Sequence, residues 1–327
     1  MPLVPGQPVR VALIGAGLMG ALHARVIRQS RDADLACIVD PDAKVATPLA
    51  ERFDTRWVPK LDDFGPFDAV VVATPTATHR AWADAALDAG KPVLVEKPLT
   101  EDLAETETLI TEARTRGVPL MCGLLERFNP AVVTALGIVE EPIHVTTVRH
   151  SPYVPRITTG VAFDLLIHDI DLVLRMTQGR LREVKAQFGY SHPKSEPDTE
   201  DVAEVSLCFD DGFLASLSAS RVSQRKQRML TIAELERLVE VDLVRQDVTV
   251  YRHVDADFLD GATSGLRQQT VIDIPAITNA REPLAAQLDY FLALVRGEAD
   301  AEAELATLLE PHGVTARVLE LARRGNG

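Results

Sequence analysis

The strongest constraint on the fold is the alternation of short apolar runs and helix-length segments in the first 120 or so residues. Val9–Ile14 is a continuous apolar run that ends in glycine, and Asp68–Ala73 (DAVVVA) is another. Segments with helical patterning, such as Thr78–Ala89 and Leu103–Arg116, separate the runs. Buried strands that alternate with helices are typical of right-handed βαβ units in a parallel sheet. The sequence therefore predicts a doubly wound N-terminal domain.

The pattern changes in the second part of the chain, where short β-rich segments with alternating polar and apolar positions follow one another. They are Ile143–Arg149, Arg182–Tyr190, Asp201–Phe209, Phe213–Ser220, Met229–Ala233, Leu238–Val241 and Asp247–Arg252. This pattern predicts an antiparallel sheet with one face covered by helices. Ser191–Thr199 and Asp255–Gln268 are expected to be loops. We therefore expect an α/β protein of two domains: a Rossmann-type parallel sheet over residues 1–123, and an α+β domain with a large open, mainly antiparallel sheet over residues 124–327.

Charge and composition narrow the classes of partner. The formal net charge of −14 argues against nucleic acid or an anionic membrane, because both favour clustered Lys and Arg. The three cysteines, Cys37, Cys122 and Cys208, lie far apart in apolar runs and are not spaced as zinc ligands. The chain has no apolar stretch near the ~20 residues of a membrane span. The sequence thus predicts a soluble cytoplasmic protein without a metal site.

A glycine-rich motif of the form G-x-G-x-x-G connects the first apolar run to the first helix. Such a loop binds the pyrophosphate of a dinucleotide, because the second glycine lets backbone approach it and the helix N-terminus faces it. Asp40 ends the second strand, 20 residues after the last glycine, where a carboxylate accepts hydrogen bonds from the adenosine ribose. A carboxylate there repels a 2′-phosphate, so NAD is expected rather than NADP. The predicted loop contacts are Gly15, Ala16, Gly17, Leu18, Met19 and Gly20.

Two further strand ends lie at the carboxyl edge of the predicted sheet, where open α/β folds bind ligands. Thr74 and Pro75 follow one strand and are expected to line the cofactor. For His79, cofactor contact and a role in capping or packing stay open as alternatives. Glu96-Lys97-Pro98 ends the next strand, and Glu96 is placed to tether the ammonium of Lys97.

Asp164 and His168 stand four residues apart in a helix-like segment, so we expect them on one face. A carboxylate beside an imidazole sets its tautomer and raises its basicity, which suits a general base near neutral pH. The alternatives are a structural Asp–His pair or a metal site. No third histidine lies nearby, which argues against a metal.

Taken together, these motifs resemble the glucose–fructose oxidoreductase / inositol dehydrogenase / MocA (Gfo/Idh/MocA) family, and the likeness covers essentially the whole chain. The resemblance implies a Rossmann domain followed by a domain whose open sheet often mediates oligomers, here a homodimer or homotetramer. It implies that Lys97 and His168 contact the reacting carbinol, that Asp164 supports them, and that the Lys97–Pro98 peptide is cis. Glu96, Lys97 and Arg127 join the expected cofactor contacts.

Other segments resemble the branch that acts on nucleotide sugars, such as UDP-N-acetylglucosamine 3-dehydrogenases. They are Glu126–Pro130, Arg149 with Tyr153–Arg156, Ile167–Asp171 and Ala219–Val222. Tyr153 and Arg156 are therefore expected to bind substrate. A diphosphate favours arginine forks. The candidates for it are Arg149, Arg156, Arg221, Arg225, Lys226 and Arg228, of which the last three equally fit a solvated or interface face.

The predicted function is an NAD-dependent oxidoreductase that moves hydride between the cofactor and a secondary hydroxyl of a sugar, with a nucleotide sugar favoured. An inositol or free-sugar dehydrogenase is the alternative within the same class. A non-catalytic dinucleotide-binding sensor or scaffold is the alternative from another class, since the glycine loop fits it equally well.

Overall fold

The computed structural model describes residues 6–61, 66–155, 157–258, 265–278 and 281–325. The chain divides into two compact units. The first consists of Met1–Leu125 together with Arg281–Ala316, and the second of Glu126–Ala280 with Arg317–Gly327.

The elements have these bounds. The strands are β1 (Val9–Ile14), β2 (Ala33–Val39), β3 (Arg56–Val58), β4 (Ala69–Val72), β5 (Val93–Val95), β6 (Leu120–Cys122), β7 (His144–His150), β8 (Leu181–Gly189), β9 (Val202–Phe209), β10 (Leu214–Ser220), β11 (Gln227–Ala233), β12 (Leu238–Asp242), β13 (Asp247–Phe258) and β14 (Gly265–Asp273). The helices are α1 (Leu18–Gln29), α2 (Ala43–Arg52), α3 (His79–Asp88), α4 (Leu103–Arg116), α5 (Pro130–Ile138), α6 (Ile167–Leu174), α7 (Pro283–Arg296), α8 (Ala301–Ala306) and α9 (Leu309–Gly325).

The first unit is built on a six-stranded parallel sheet in the order β3-β2-β1-β4-β5-β6. The central strands β1 and β4 are almost entirely buried, as expected for a parallel sheet covered on both faces. Local signals set the helix ends: Asp102 accepts a hydrogen bond from the Glu105 amide at the start of α4, and Gly117 (φ 62°) ends that helix. The predicted Rossmann architecture is confirmed.

The segment Arg281–Ala316 differs from the division expected at residue 123, because it packs with the first unit although it follows Glu126–Ala280 of the second unit in sequence. Helix α7 contacts α1, and α8 contacts α4 and β6. Leu288 and Phe291 of α7 are buried, so the apolar face of this helix completes the core around the parallel sheet.

The second unit is built on an eight-stranded sheet in the order β14-β13-β12-β11-β7-β10-β9-β8. Strands β7 and β10 pair in parallel, and the other neighbours are antiparallel. Alternate residues of β9 and β10 are buried, α6 contacts β7 and β10, and α5 contacts β12 and β13. The predicted open, mainly antiparallel sheet is confirmed.

Strand β14 is an element that the sequence pattern missed, since the loop expected over Asp255–Gln268 contains the end of β13 and the start of β14. Residues 259–264, between these two strands, lie outside the described part. Strand β14 stands at the sheet edge, and Ile272 in it is exposed. An edge strand whose side chains Gln269, Thr270, Ile272 and Asp273 are exposed needs no apolar alternation, which is why the pattern gave no signal.

Within the described part of the chain, none of the helices combines the length and the apolar character needed to cross a bilayer.

Candidate active site

The glycine loop has the geometry of a phosphate cradle. Gly15 has φ +100°, and a Cβ there would lie 2.4 Å from the carbonyl oxygen of Ala73. A Cβ at Gly20 would lie 2.0 Å from the Gly15 oxygen, so the start of α1 packs directly on the loop. At Gly17, by contrast, no atom stands within 4 Å of a Cβ position. The open side of the loop thus lies at Gly17 and the N-terminus of α1, where a pyrophosphate approaches backbone in this fold.

Asp40 holds this loop against the end of β2. Its Oδ2 accepts a hydrogen bond from the Ala16 amide and its Oδ1 one from the Asp42 amide, both at 2.8 Å. Each carboxylate oxygen keeps a second lone pair for a ribose hydroxyl. The residues present therefore fit the adenosine end of NAD, and the negative charge disfavours a 2′-phosphate.

The end of β4 is fixed by His79. Its Nδ1 lies 2.8 Å from the carbonyl oxygen of Pro98, and its Nε2 lies 2.9 Å from that of Thr74. The His79 side chain is buried, so this histidine joins the ends of two neighbouring strands. Pro75 is exposed and Thr74 is half-buried at the same edge. Of the two alternatives for His79, the geometry favours packing, and its contact with the cofactor stays a prediction.

Lys97 follows a carboxylate that is anchored to the glycine-loop helix. The Nε2 of His23, on the buried face of α1, donates to Oε1 of Glu96 at 2.7 Å. The Lys97–Pro98 peptide is cis, as the resemblance implied. On the far side of the turn, the Leu99 amide donates to Nε2 of His312 in α9.

Glu96 is held in its ionised form. Burial raises its pKa, but the hydrogen bond from His23, the charges of His23 and Lys97, and a backbone hydrogen bond from Lys97 outweigh that effect, so the pKa falls below its ordinary value. The charged carboxylate next to Lys97 attracts its side chain and restricts where the lysine can lie.

Asp164 lies in a π-helical turn, Ala162–Leu166, that runs directly into α6. Such turns occur most often as single interruptions at functional sites. Asp164 and His168 are both half-buried, whereas the three residues between them are buried. Asp164 and His168 therefore lie on the same, less buried side of the segment, as the spacing predicts.

Glu200 fixes the start of this segment, because its Oε1 accepts a hydrogen bond from the Ala162 amide at 3.0 Å and its carbonyl accepts one from the Val161 amide. A Cβ at Gly160 would lie 2.0 Å from the same Oε1, so only glycine admits the carboxylate here.

Two arginines proposed for a diphosphate are used inside the second unit instead, and that expectation is wrong for them. The guanidinium of Arg149 is 2% exposed and donates to Asp169 and to Glu126. Arg221 is buried and donates to Asp201. Because both side chains are buried, neither Arg149 nor Arg221 is accessible to a diphosphate in solution.

The buried Arg149 cluster has unequal carboxylates. Burial raises the pKa of Asp169, and the attraction of Arg149 only partly offsets it. Burial also raises the pKa of Glu126, but Arg149 and Arg228 outweigh it and lower the pKa below its ordinary value. Glu126 is thus the carboxylate that two arginines share.

Three other predicted contacts have different outcomes. Arg127 makes two hydrogen bonds to Asp171, at 2.8 and 2.6 Å, which fix its guanidinium within the second unit. The Tyr153 hydroxyl donates to the Lys194 carbonyl, and its ring stacks on His192 with centroids 3.6 Å apart. Arg156 lies outside the described residues. The binding roles of all three stay predictions.

Sequence reasoning missed His23 and Glu200. Each had a weak signal: His23 interrupts the buried face of α1 with a polar residue, and Glu200 lies two residues before β9. Among the described residues, no three His, Cys, Asp or Glu side chains come together as metal ligands.

Comparison with known families matches both parts of the chain. Residues 9–124 match the family described as "Oxidoreductase family, NAD-binding Rossmann fold", and residues 141–237 match the "GFO/IDH/MocA C-terminal domain".

Individual relatives share most of the length. The UDP-N-acetylglucosamine 3-dehydrogenase of Acidithiobacillus ferrooxidans is 32% identical over 87% of this chain and 88% of its own. An inositol 2-dehydrogenase of Acidothermus cellulolyticus is 35% identical over 60% of this chain and 61% of its own. A solved structure of the Acidithiobacillus ferrooxidans UDP-N-acetylglucosamine 3-dehydrogenase has a TM-score of 0.83 and 28% identity, covering 97% of this chain and 98% of that one.

Proposed function

The chain belongs to the Gfo/Idh/MocA family of NAD-binding oxidoreductases, and from this premise we propose that it oxidises a secondary hydroxyl of a nucleotide sugar, such as the 3-hydroxyl of UDP-N-acetylglucosamine. An oxidoreductase acting on CH–OH groups agrees with the named dehydrogenases among its relatives. The more specific part of the proposal is that the substrate is a nucleotide sugar. It is supported by the 32% identity to an enzyme named for that substrate.

One observation carries the proposal: His23, on the helix that opens at the glycine loop, holds Glu96 at 2.7 Å, and Lys97 comes next. Within the first unit, this contact links the helix that follows the glycine loop to the residue before Lys97, just after β5. Binding of NAD along the loop would thus keep Lys97 at a fixed position in the cofactor-binding unit.

We assign the chemical roles by charge. Bound NAD supplies the hydride acceptor. Lys97 donates a hydrogen bond to the substrate oxygen and stabilises the negative charge that develops on it. His168 takes the hydroxyl proton as general base, and Asp164 is the carboxylate that supports it. The chain's share of catalysis is positioning and electrostatics.

A second candidate within the class is an inositol or free-sugar dehydrogenase. The 35% identity to an inositol 2-dehydrogenase favours it, although that relative shares a smaller part of the chain. The two candidates differ in charge, because a nucleotide sugar carries a diphosphate and an inositol carries none.

The test combines a substrate panel with two variants. NADH formation, followed at 340 nm with nucleotide sugars and polyols, should be seen with at least one nucleotide sugar. Lys97→Ala and His168→Ala should each lower kcat by about 10²–10⁴-fold, the usual contribution of a positioned proton-transfer group. The affinity for NAD, measured by fluorescence quenching, should change little.

Matched controls separate these roles from a general loss of charge. Lys91→Ala removes a lysine just before the opposite end of the same strand β5, and His144→Ala removes a histidine of β7. Both should leave kcat within about threefold of the original value, as most surface substitutions do. Near-normal turnover in both the Lys97 and His168 variants contradicts the assignment. No change at 340 nm with any substrate favours the sensor or scaffold.

We also propose that the chain forms a homo-oligomer through the sheet of the second unit. The side of that sheet away from the buried residues carries small polar groups, including Thr146, Ser206 and Ser216, next to an exposed Leu214. A second copy of the chain is the expected partner, and light scattering of the protein in solution measures the copy number. A cytoplasmic location stays a prediction.

A further inference from the structure

Two arginines face each other across neighbouring strands of the second unit. In the antiparallel register of β7 and β11, Arg149 lies opposite Arg228. Both donate to the same atom, Oε1 of Glu126, at 2.8 and 3.0 Å. Like charges directly opposite each other destabilise a sheet, so the shared carboxylate only partly offsets their repulsion. Asp169 accepts hydrogen bonds from Arg149, and its charge also attracts Arg228.

Arg228 keeps most of its hydrogen-bonding capacity. Its side chain is one third exposed, and its contact with Glu126 uses one of five N–H donors. Arg149, in contrast, is buried and donates to two carboxylates. The two guanidinium groups therefore differ in function. Arg149 joins the two carboxylates, and Arg228 keeps N–H donors that a ligand can reach.

Lys226 stands two residues before Arg228 and adds a third positive charge. It forms no hydrogen bond or ion pair with any side chain that the structure describes. Repulsion by Arg228, followed by burial, lowers its pKa, and Arg149 adds to the effect while Glu126 opposes it. An ammonium held where other cations repel it is stabilised by an anion.

The charges do not balance within this cluster. Arg149, Arg228 and Lys226 carry three positive charges, while the two carboxylates in direct contact with the arginines, Glu126 and Asp169, carry two negative ones. The uncompensated charge belongs to the two side chains that keep free donors, Lys226 and Arg228.

Space for a ligand lies next to these side chains. A cavity of about 410 Å³ is lined by Arg225, Lys226, Arg228 and Arg245, together with the polar Gln227 and Thr249 and three carboxylates. The four cations outnumber the carboxylates, which are Glu240, Asp242 and Asp247. The cavity therefore carries a positive excess like that of the cluster.

The cluster lies within electrostatic reach of the proposed chemistry. Arg228 is close enough to Asp164 that the aspartate charge raises its pKa, against the larger lowering by burial and by Arg149. Strand β10 ends at Ser220, and its last residue pairs with His150 at the end of β7. Arg228 pairs next to that position, so it lies at the sheet end where these strands stop.

We propose that Lys226 and Arg228 form the subsite that binds the phosphate groups of the substrate. This inference rests on the proposed function, because it gives the nucleotide sugar a binding group that a neutral polyol would not need. A guanidinium fork and an ammonium are the side chains that bind phosphate oxygens best. The subsite replaces Arg149 and Arg221, which the fold buries.

The test measures binding of UDP to the NAD-saturated protein by titration calorimetry. Lys226→Gln removes the ammonium and leaves the hydrogen bonds of Glu126 with Arg149 and Arg228 in place, so folding should be preserved. UDP affinity should fall about tenfold or more, as expected for loss of a charge-assisted hydrogen bond. Lys226→Arg should restore affinity to within about threefold, because it restores the charge.

Further arms identify the group recognised. Uridine, which lacks phosphates, should bind Lys226→Gln and the original protein equally, and pyrophosphate should compete with UDP. Arg182→Gln, which removes an exposed cation from β8 of the same sheet, should leave UDP affinity unchanged. Arg228→Lys keeps the charge but loses the fork and should weaken UDP binding by a smaller factor.

Two outcomes overturn the proposal, and they differ in what they say about function. If the original protein and Lys226→Gln bind UDP equally, the subsite is wrong while the nucleotide-sugar function stands. If the original protein binds neither UDP nor pyrophosphate, the subsite and the nucleotide sugar both fail. NADH formation from an uncharged polyol would then show that the dehydrogenase assignment survives.

Discussion

Asp201 shows how one side chain organises the loop Ser191–Thr199 of the second unit. It accepts hydrogen bonds from the amides of Ser191 and His192, from the Ser195 hydroxyl and from Arg221. It is 1% exposed. Burial raises its pKa, but these hydrogen bonds outweigh burial and lower the pKa to about 2. Ser191–Thr199, which was expected to be a loop, thus forms neither helix nor strand, and the Asp201 carboxylate anchors it.

This shift predicts a pH-dependent contribution to stability. Because the folded pKa is below the unfolded value, the contribution is complete above about pH 4 and is lost as the pH falls through about 2. Its size is about 2 kcal/mol. Asp201→Asn should therefore lower the free energy of unfolding at pH 7 by about that amount, and by about half as much at pH 3. Urea unfolding at several pH values measures it.

The control for Asp201 is Asp198→Asn in the same loop. Asp198 is exposed and has a positive φ that asparagine tolerates. This variant should unfold like the original protein at both pH values. An Asp201→Asn effect that is the same at pH 7 and pH 3 would show that the charge of Asp201 is not the cause.

At the scale of elements, the glycine loop separates two functions of glycine. Gly20 makes room for the packing of α1 on the loop, whereas Gly17 leaves open space, which we expect the cofactor to occupy. The two positions are three residues apart, yet the neighbours of a Cβ at each are entirely different. Substitution at these two positions should therefore have different consequences.

We expect Gly17→Ala to fold normally and bind NAD poorly. Its Cβ meets no protein atom, and its φ of −67° suits alanine. Stability without NAD should change by less than about 0.5 kcal/mol, while NAD should raise Tm much less than in the original protein. Gly20→Ala should lower Tm without NAD, because its Cβ overlaps backbone. Thermal unfolding with and without NAD compares them.

Equal loss of stability in both variants would contradict this division of roles. The assignment of Gly17 to the cofactor would also fail if NAD stabilised Gly17→Ala and the original protein to the same extent.

At the scale of the whole molecule, the first unit is discontinuous in sequence. It is closed by α7 and α8, which follow the main segment of the second unit, Glu126–Ala280, in sequence. Phe291 of α7 is fully buried in the first unit. The NAD-binding unit therefore depends on residues far beyond the segment that carries its sequence motifs.

Phe291→Ala should loosen the NAD-binding unit rather than the second one. Loss of a buried phenylalanine costs about 3–5 kcal/mol. Hydrogen exchange should accelerate at the amides of β1 and β4 and stay slow in β9 and β10. Leu217→Ala, in β10 of the second unit, is the reciprocal variant and should reverse the pattern. Faster exchange of β9 and β10 in the Phe291 variant would contradict the division.

The sequence by itself determined those features that a short segment encodes. The cradle from Gly15 to Gly20 follows from the need for a tight turn between a buried strand and a helix, and the structure has that geometry. The helical positions of Asp164 and His168 follow from their spacing. Lys97 follows strand β5, and because a parallel sheet brings the carboxyl ends of its strands to one edge, the sequence places Lys97 at that edge.

Tertiary structure decided everything that depends on distant partners. His23 binds Glu96, which is 73 residues away in sequence, and the donors of Arg149 are bonded to Asp169 and Glu126. An arginine in a sequence looks the same whether it is buried and paired or free to bind an anion. Burial and pairing depend on which segments the fold brings together, and that is the physical reason why only the structure distinguishes Arg149 from Arg228.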